Sequence, residues 1–317
     1  MAGARHRRSV VERERDERKS VRPILVGSLV VLVIVVWLVW WQWDAITNGF
    51  SDAAGPESKA AQAESAVGGD DTATGQGGSP TLSDQALAER RWEELTGQPP
   101  VWPEDLTNPQ NCEEVEADLA RICSLLDQRD YVRAVAPTGG ACGLIRTVAE
   151  ELAANPPDIS SELESYETML DNVFHLFRVV GRKRLELLRR IQWEEHELAE
   201  PAAMALYRWA VSREGCARSG TTTLRPEPLY DYAGFFFTTM GGQAYLRRRT
   251  PSIEALASLY ALLIVDRAQQ SGLNPAGVDP RTEIQRTRAL IETEPLVFRE
   301  HYLLILDQMA ERWKERS

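Results

Sequence analysis

LESYETMLDNVFHLFRVVGRKRLELLRRI, residues 163–191, decides the reading of the fold. Steps of three and four residues from Leu163 reach Tyr166, Leu170, Val173, Phe177, Val180, Arg184, Leu187 and Ile191, and eight of these nine positions are apolar. That spacing keeps side chains on one face of an α-helix and scatters them across both faces of a strand. It predicts a long helix whose seam packs a neighbouring helix at a shallow angle. Met169, Phe174, Leu176, Leu185 and Leu188 widen the stripe. A wide stripe belongs to a helix inside a bundle more than to a two-stranded coiled coil. Ser161 and Glu164 form a capping-box pattern at its start, and Gly181 marks a kink.

Helix signals continue on both sides. Ser83 precedes a helical run to about Glu94, which Gly97 and Pro99-Pro100 end. Asn111 with Glu114 makes a second capping box, ahead of a stripe of Leu119, Ile122, Leu125 and Leu126. Gly139-Gly140 precedes a helix over about 141–154, stopped by Pro156-Pro157. Further helices are expected at about 201–214, 228–247, 252–271, 280–292 and 296–314. No alternating strand pattern and no fixed repeat accompany them. The expected fold is an all-α, irregular multi-helix bundle over residues 82–317.

The N-terminal part reads differently. Pro23 to Trp43 is an uncharged run of 21 residues, about 30 Å as a helix and enough to span a bilayer core. Residues 1–22 carry +4, and no base follows the run until Lys59. The asymmetry predicts a basic tail in the cytoplasm, a single-pass transmembrane helix at 23–43 in contact with membrane lipid, and everything downstream outside. Trp37, Trp40, Trp41 and Trp43 suit the outer headgroup interface. A cleaved signal peptide fits less well, because its apolar region would be shorter and followed by small residues. Residues 44–81 are expected to be a flexible linker. Between Ser51 and Pro80 only Val67 is a larger aliphatic, so little apolar surface can offset chain entropy. Such a tether reaches about 30 Å. The localisation implied is a bacterial-type inner membrane, with the body outside the cytoplasm.

The 317-residue chain carries a net charge of −11, and the part after residue 22 carries −15. An acidic body of this kind argues against nucleic-acid binding.

Four cysteines, Cys112, Cys123, Cys142 and Cys216, then face an oxidising compartment, where two disulfides are expected. Cys112 and Cys123 share one helix about 16 Å apart, too far to bond. An antiparallel hairpin brings Cys123 to Cys142, which leaves Cys112 with Cys216.

Motifs for chemistry are sparse. His175 and His196 stand about 30 Å apart on the expected long helix, so no metal site is predicted. Walker, dinucleotide-binding and nucleophile-elbow patterns are missing, and no cofactor is expected. Two surfaces remain as binding candidates. Arg178, Arg182, Lys183, Arg189 and Arg190 form a basic strip in an acidic body, suited to an anionic polymer or acidic protein face. Tyr230, Tyr232 and Phe236 surround Gly241-Gly242, with Arg247 and Arg248 after them, in the manner of an aromatic groove with a basic rim. The expected function is a membrane-anchored extracytoplasmic scaffold or adaptor that binds an envelope protein or polymer. The alternatives are a carboxylate-dependent glycan hydrolase or lyase acting on the cell wall, or an envelope ligand sensor. A concave pocket with two facing carboxylates would favour the enzyme.

Overall fold

The computed structural model describes residues 82–136, 139–159, 165–212 and 225–315. All belong to one of the chain's two units, Thr74–Ser317. The expected tail at 1–22, membrane helix at 23–43, linker at 44–81, capping pair Ser161/Glu164 and Cys216 lie outside the described residues. Among the described residues, no helix is long and apolar enough to cross a membrane. Helix makes up 76% of them and strand none, so the body is all-α, as the periodicity predicts.

In chain order the helices are α1 (Leu82–Thr96), α2 (Cys112–Asp127), the single turn α3 (Asp130–Arg133), α4 (Gly140–Ala154), α5 (Tyr166–Val180) and α6 (Arg182–Glu194). After a 3₁₀ turn at His196–Leu198 come α7 (Ala199–Val211), α8 (Pro226–Thr238), α9 (Met240–Leu246), α10 (Pro251–Gln270), α11 (Arg281–Thr293) and α12 (Arg299–Lys314). Asn111 caps α2 as expected: its side chain accepts from the Glu114 N–H at 3.3 Å, and Glu114 accepts in return from Asn111 Nδ2. Pro251 opens α10, where a missing N–H is harmless.

Two expected helices are broken. The run from 163 to 191 is α5 and α6, parted at Gly181. Gly181 has φ +80°, a conformation that costs a side chain-bearing residue, so the chain turns there instead of bending gently. Ser165 caps α5 by accepting from the Thr168 N–H at 3.1 Å. The run from 228 to 247 is likewise α8 and α9. Thr239 leaves the helix at ψ 147° and caps α9 through the Gly242 N–H at 3.0 Å.

The helices bury two hydrophobic clusters. The larger is built by α8, α10, α11 and α12 around residues such as Phe235, Leu256, Leu259, Ile291, Leu306 and Met309. α10 lies at its centre and is buried on most sides, which fits a helix that is apolar nearly all round. The smaller joins α2, α4 and α6 through Leu119, Ile122, Leu126, Leu144, Val148 and Leu187. α7 belongs to both. Met204, Tyr207 and Val211 enter the larger cluster, while Ala205 and Trp209 enter the smaller.

The α2–α4 hairpin carries the expected disulfide, Cys123–Cys142, with Cα atoms 5.2 Å apart. Beside it, Asp127 from the end of α2 accepts from the Ala141 N–H at 2.7 Å and so caps α4. Gly140 has φ +65°, and a Cβ there would lie 2.7 Å from that carboxylate. Cys112 is disulfide-bonded too. Its expected partner, Cys216, lies outside the described residues.

Candidate functional site

Several large apolar side chains are exposed on α5. Tyr166 is 61% exposed, Val173 46%, Phe174 39% and Phe177 52%, with half-buried Leu170 between them. These positions repeat at four, seven, eight and eleven residues from Tyr166, so they line one face. The sequence seam was expected to pack inside the bundle. Of its described members, Tyr166, Val173 and Phe177 instead face solvent, and only Val180 and Leu187 are buried.

The inward face of α5 holds Asn172 and His175. Their polar atoms have internal partners, as buried polar groups require. Asn172 Nδ2 donates to the Asp158 carbonyl at 2.9 Å, and His175 Nε2 lies 2.8 Å from the Tyr232 hydroxyl. Burial, reinforced by nearby Arg178, holds the His175 pKa below its ordinary value and keeps the ring neutral. Tyr232 in turn donates to the Asn155 carbonyl at 3.0 Å.

α9 crosses α5 at close range. A Cβ on Gly241 would lie 2.6 Å from the Asn172 backbone, and one on Gly242 only 1.9 Å from the Phe235 carbonyl oxygen. The two glycines therefore admit protein backbone into the space read from sequence as a groove. Met240, at the start of α9, is 60% exposed, and Gly241 after it lies against the Asn172–Val173 backbone. Of the aromatic set, Tyr230 is buried and bonded to Asn274, and Phe236 is half-buried beside Phe235 and Tyr245. Arg247 reaches Glu283 only at 3.9 Å, and Arg248 is exposed.

The basic strip occupies the last turn of α5 and the outer face of α6. Arg178 pairs with Asp171 at 2.9 Å and Arg182 with Glu186 at 2.7 Å. Arg190 pairs with Glu194 at 2.6 Å and lies 4.1 Å over the Tyr131 ring. Lys183 and Arg189 are exposed on the same helix, beside exposed Trp193. Three of the five charges are thus paired with carboxylates one or two turns away.

A cleft of about 530 Å³ lies elsewhere, with Trp92, Trp102, Asp105, Glu114, Asp118 and Met204 among its walls. Arg208 of α7 also lines it, with only 3% of its side chain exposed. Its guanidinium donates to Asp118 at 2.6 Å, Glu114 at 2.8 Å and Asp105 at 3.0 Å. The other oxygen of each carboxylate is also engaged. Asp105 accepts from the Gln110 N–H, Glu114 from Asn111 and Asp118 from Arg121. Burial raises the Asp118 pKa, against the pull of Arg208 and Arg121. Facing carboxylates are therefore present, but every oxygen is held by a donor of the protein. A carboxylate bonded twice in this way is a poor nucleophile and a poor base. Sequence reading passed over this cluster, although Arg208 is a lone charge in the apolar run Met204–Val211 and signals a buried partner.

Among the described residues no group of three or more His, Cys, Asp or Glu could hold a metal ion. No protein-family model, no curated protein and no solved structure matches the chain.

Proposed function

We propose that this chain is a membrane-anchored extracytoplasmic adaptor whose helical body presents α5 to a protein partner. The observation that carries the reading is the exposed apolar face of Tyr166, Val173, Phe174 and Phe177. Aromatic side chains and methionine are enriched where proteins meet, and a contiguous apolar face marks an interaction site. The uncharged run at 23–43 and the apolar-poor stretch after it support anchoring and reach. The full occupancy of Asp105, Glu114 and Asp118 weighs against carboxylate-dependent glycan cleavage, which needs one free acid and one free base or nucleophile.

The test is affinity purification of the full chain from its membrane, wild type beside the double variant Phe174→Asp/Phe177→Asp. The wild type should retain a protein partner that the variant loses, with the melting temperature unchanged. Equal recovery from both would reject α5 as the binding face. A reporter fused after Ser317 should be active only outside the cytoplasm, and cytoplasmic activity would reject the anchoring.

A further inference from the structure

We infer that the outer face of α6 rests on the surface of an anionic phospholipid bilayer, with Trp193 among the headgroups. The inference rests on the anchoring half of the reading above, which keeps the body near a membrane. At 3.6 residues per turn, Arg182, Lys183, Glu186, Arg189, Arg190 and Trp193 fall within about a third of the helix circumference. All six are exposed. The opposite side carries buried Leu187 and half-buried Leu185, Leu188 and Ile191, which pack in the smaller cluster, and Arg184, which pairs with Glu151 of α4. One face of α6 thus holds the body, and the other meets solvent.

Charge and shape name the occupant. α6 carries five basic and two acidic side chains, a net +3, although the chain after residue 22 carries −15. The Arg182–Glu186 and Arg190–Glu194 pairs cancel within the helix. Lys183 and Arg189 have no carboxylate partner among the described residues. They leave two uncompensated positive charges on the face of an indole that is 77% exposed. A protein interface surrounds an aromatic anchor of this kind with further apolar surface. Here its neighbours on the helix face are charged. A headgroup layer suits the combination, because phosphates meet the bases while the indole sits at the interface.

The route of the chain points the same way. The first described helix, α1, starts at Leu82, and Arg91, about 14 Å further along it, pairs with Glu197 at 3.3 Å. Glu197 belongs to the 3₁₀ turn that directly follows α6. The chain arriving from the uncharged run at 23–43 therefore joins the body close to the end of α6 that bears Trp193. Residues 44–81 are long enough to let that end reach the bilayer.

The experiment places the full chain in phosphatidylcholine nanodiscs, with or without phosphatidylglycerol, and replaces Trp193 by a photo-reactive aromatic residue. Lipid adducts should form at that position in the anionic discs. The same photo-reactive residue at exposed Leu273, after α10, should give none. Lys183→Gln/Arg189→Gln should weaken docking about 25-fold, at roughly fivefold for each base near an anionic surface, and lower the adduct yield with the melting temperature unchanged. Equal yields at the two positions, in the two kinds of disc, or from the variant overturn the docking and leave the anchor standing. So does the absence of any adduct from a chain held in the discs. A chain that stays outside the discs overturns both.

Discussion

The two hydrophobic clusters hold their helices by different means. The smaller one, around α2, α4 and α6, is fastened by a covalent bond and by ion pairs at its rim. The Cys123–Cys142 bond and the Asp127 cap join α2 to α4. Arg146–Glu116 at 2.7 Å repeats that link, and Arg184–Glu151 ties α6 to α4. Arg129 and Tyr131 both reach Glu195, at 2.7 and 3.0 Å. The larger cluster instead contains its polar links. Glu200 of α7 is buried and accepts from the N–H groups of Val297, at 2.7 Å, and Phe298, at 3.0 Å, just ahead of α12. The Tyr302 hydroxyl also bonds Glu200. Tyr207 stacks on Tyr260 with ring centroids 4.7 Å apart. Asp266 accepts from Arg312 at 2.6 Å and from the Trp313 indole at 3.1 Å. A small core gains little from burial and benefits from a covalent staple. A large one can tolerate buried carboxylates, provided each is given donors.

The contrast can be broken most directly at the residue that joins the two regions. Arg208 links α2, in the smaller cluster, to the loop at Asp105, whose neighbour Leu106 is buried in the larger. Arg208→Ala should cost about 4 kcal/mol, because it removes a buried stem and leaves three carboxylates facing one another. Urea unfolding measures the loss, and hydrogen exchange should rise in both clusters at once. A rise confined to α2 would show that Arg208 serves one region only.

The next effect sharpens the larger cluster. Burial pushes the Glu200 pKa from 4.5 to about 7, although three donors oppose the shift. The folded protein therefore holds a proton that the unfolded chain has released between those values. The contribution is fully present below about pH 4.5 and is lost as pH rises through 7, on the order of 3 kcal/mol. Wild type should lose stability over that window relative to Glu200→Gln, whose side chain does not titrate. Parallel pH profiles for the two proteins would refute the assignment.

The staple comes third. Replacing both Cys123 and Cys142 by Ser should cost about 2–3 kcal/mol, on loop-closure grounds. The increase in hydrogen exchange should concentrate in α2 and α4 and spare α10. Smallest is Asp127→Ala, at about 1 kcal/mol for a lost helix cap, with fraying at Ala141 as its local mark.

Much of the fold was legible in the sequence because its cues are local. The Asn111 cap, the proline starts and the Cys123–Cys142 hairpin each depend on residues close in the chain or on helix rise. What could not be read was which side of α5 faces inward. Its outward face is the more apolar, while Asn172 and His175 look suited to solvent but find partners at Asp158 and Tyr232. Periodicity fixes a face without saying what covers it. The kink expected at Gly181 is a full break, and the break at Thr239 was missed, for a related reason. The apolar spacing runs straight through both, and only the close approach of α9 to α5 forces the second turn. The cluster on Arg208 gathers residues up to 103 positions apart, and no local pattern reports such a meeting.

The place of α7 in the chain order bears on how the protein is made. Synthesis runs from the N-terminus, so the α2–α4 hairpin exists before α7 does, and its cysteines can pair while its apolar face still lacks a lid. When α7 arrives, Ala205 and Trp209 close that face, but Met204, Tyr207 and Val211 then point at helices not yet translated. That side of α7 is covered only once α8, α10, α11 and α12 have been made, whereas the stapled cluster needs nothing translated after α7.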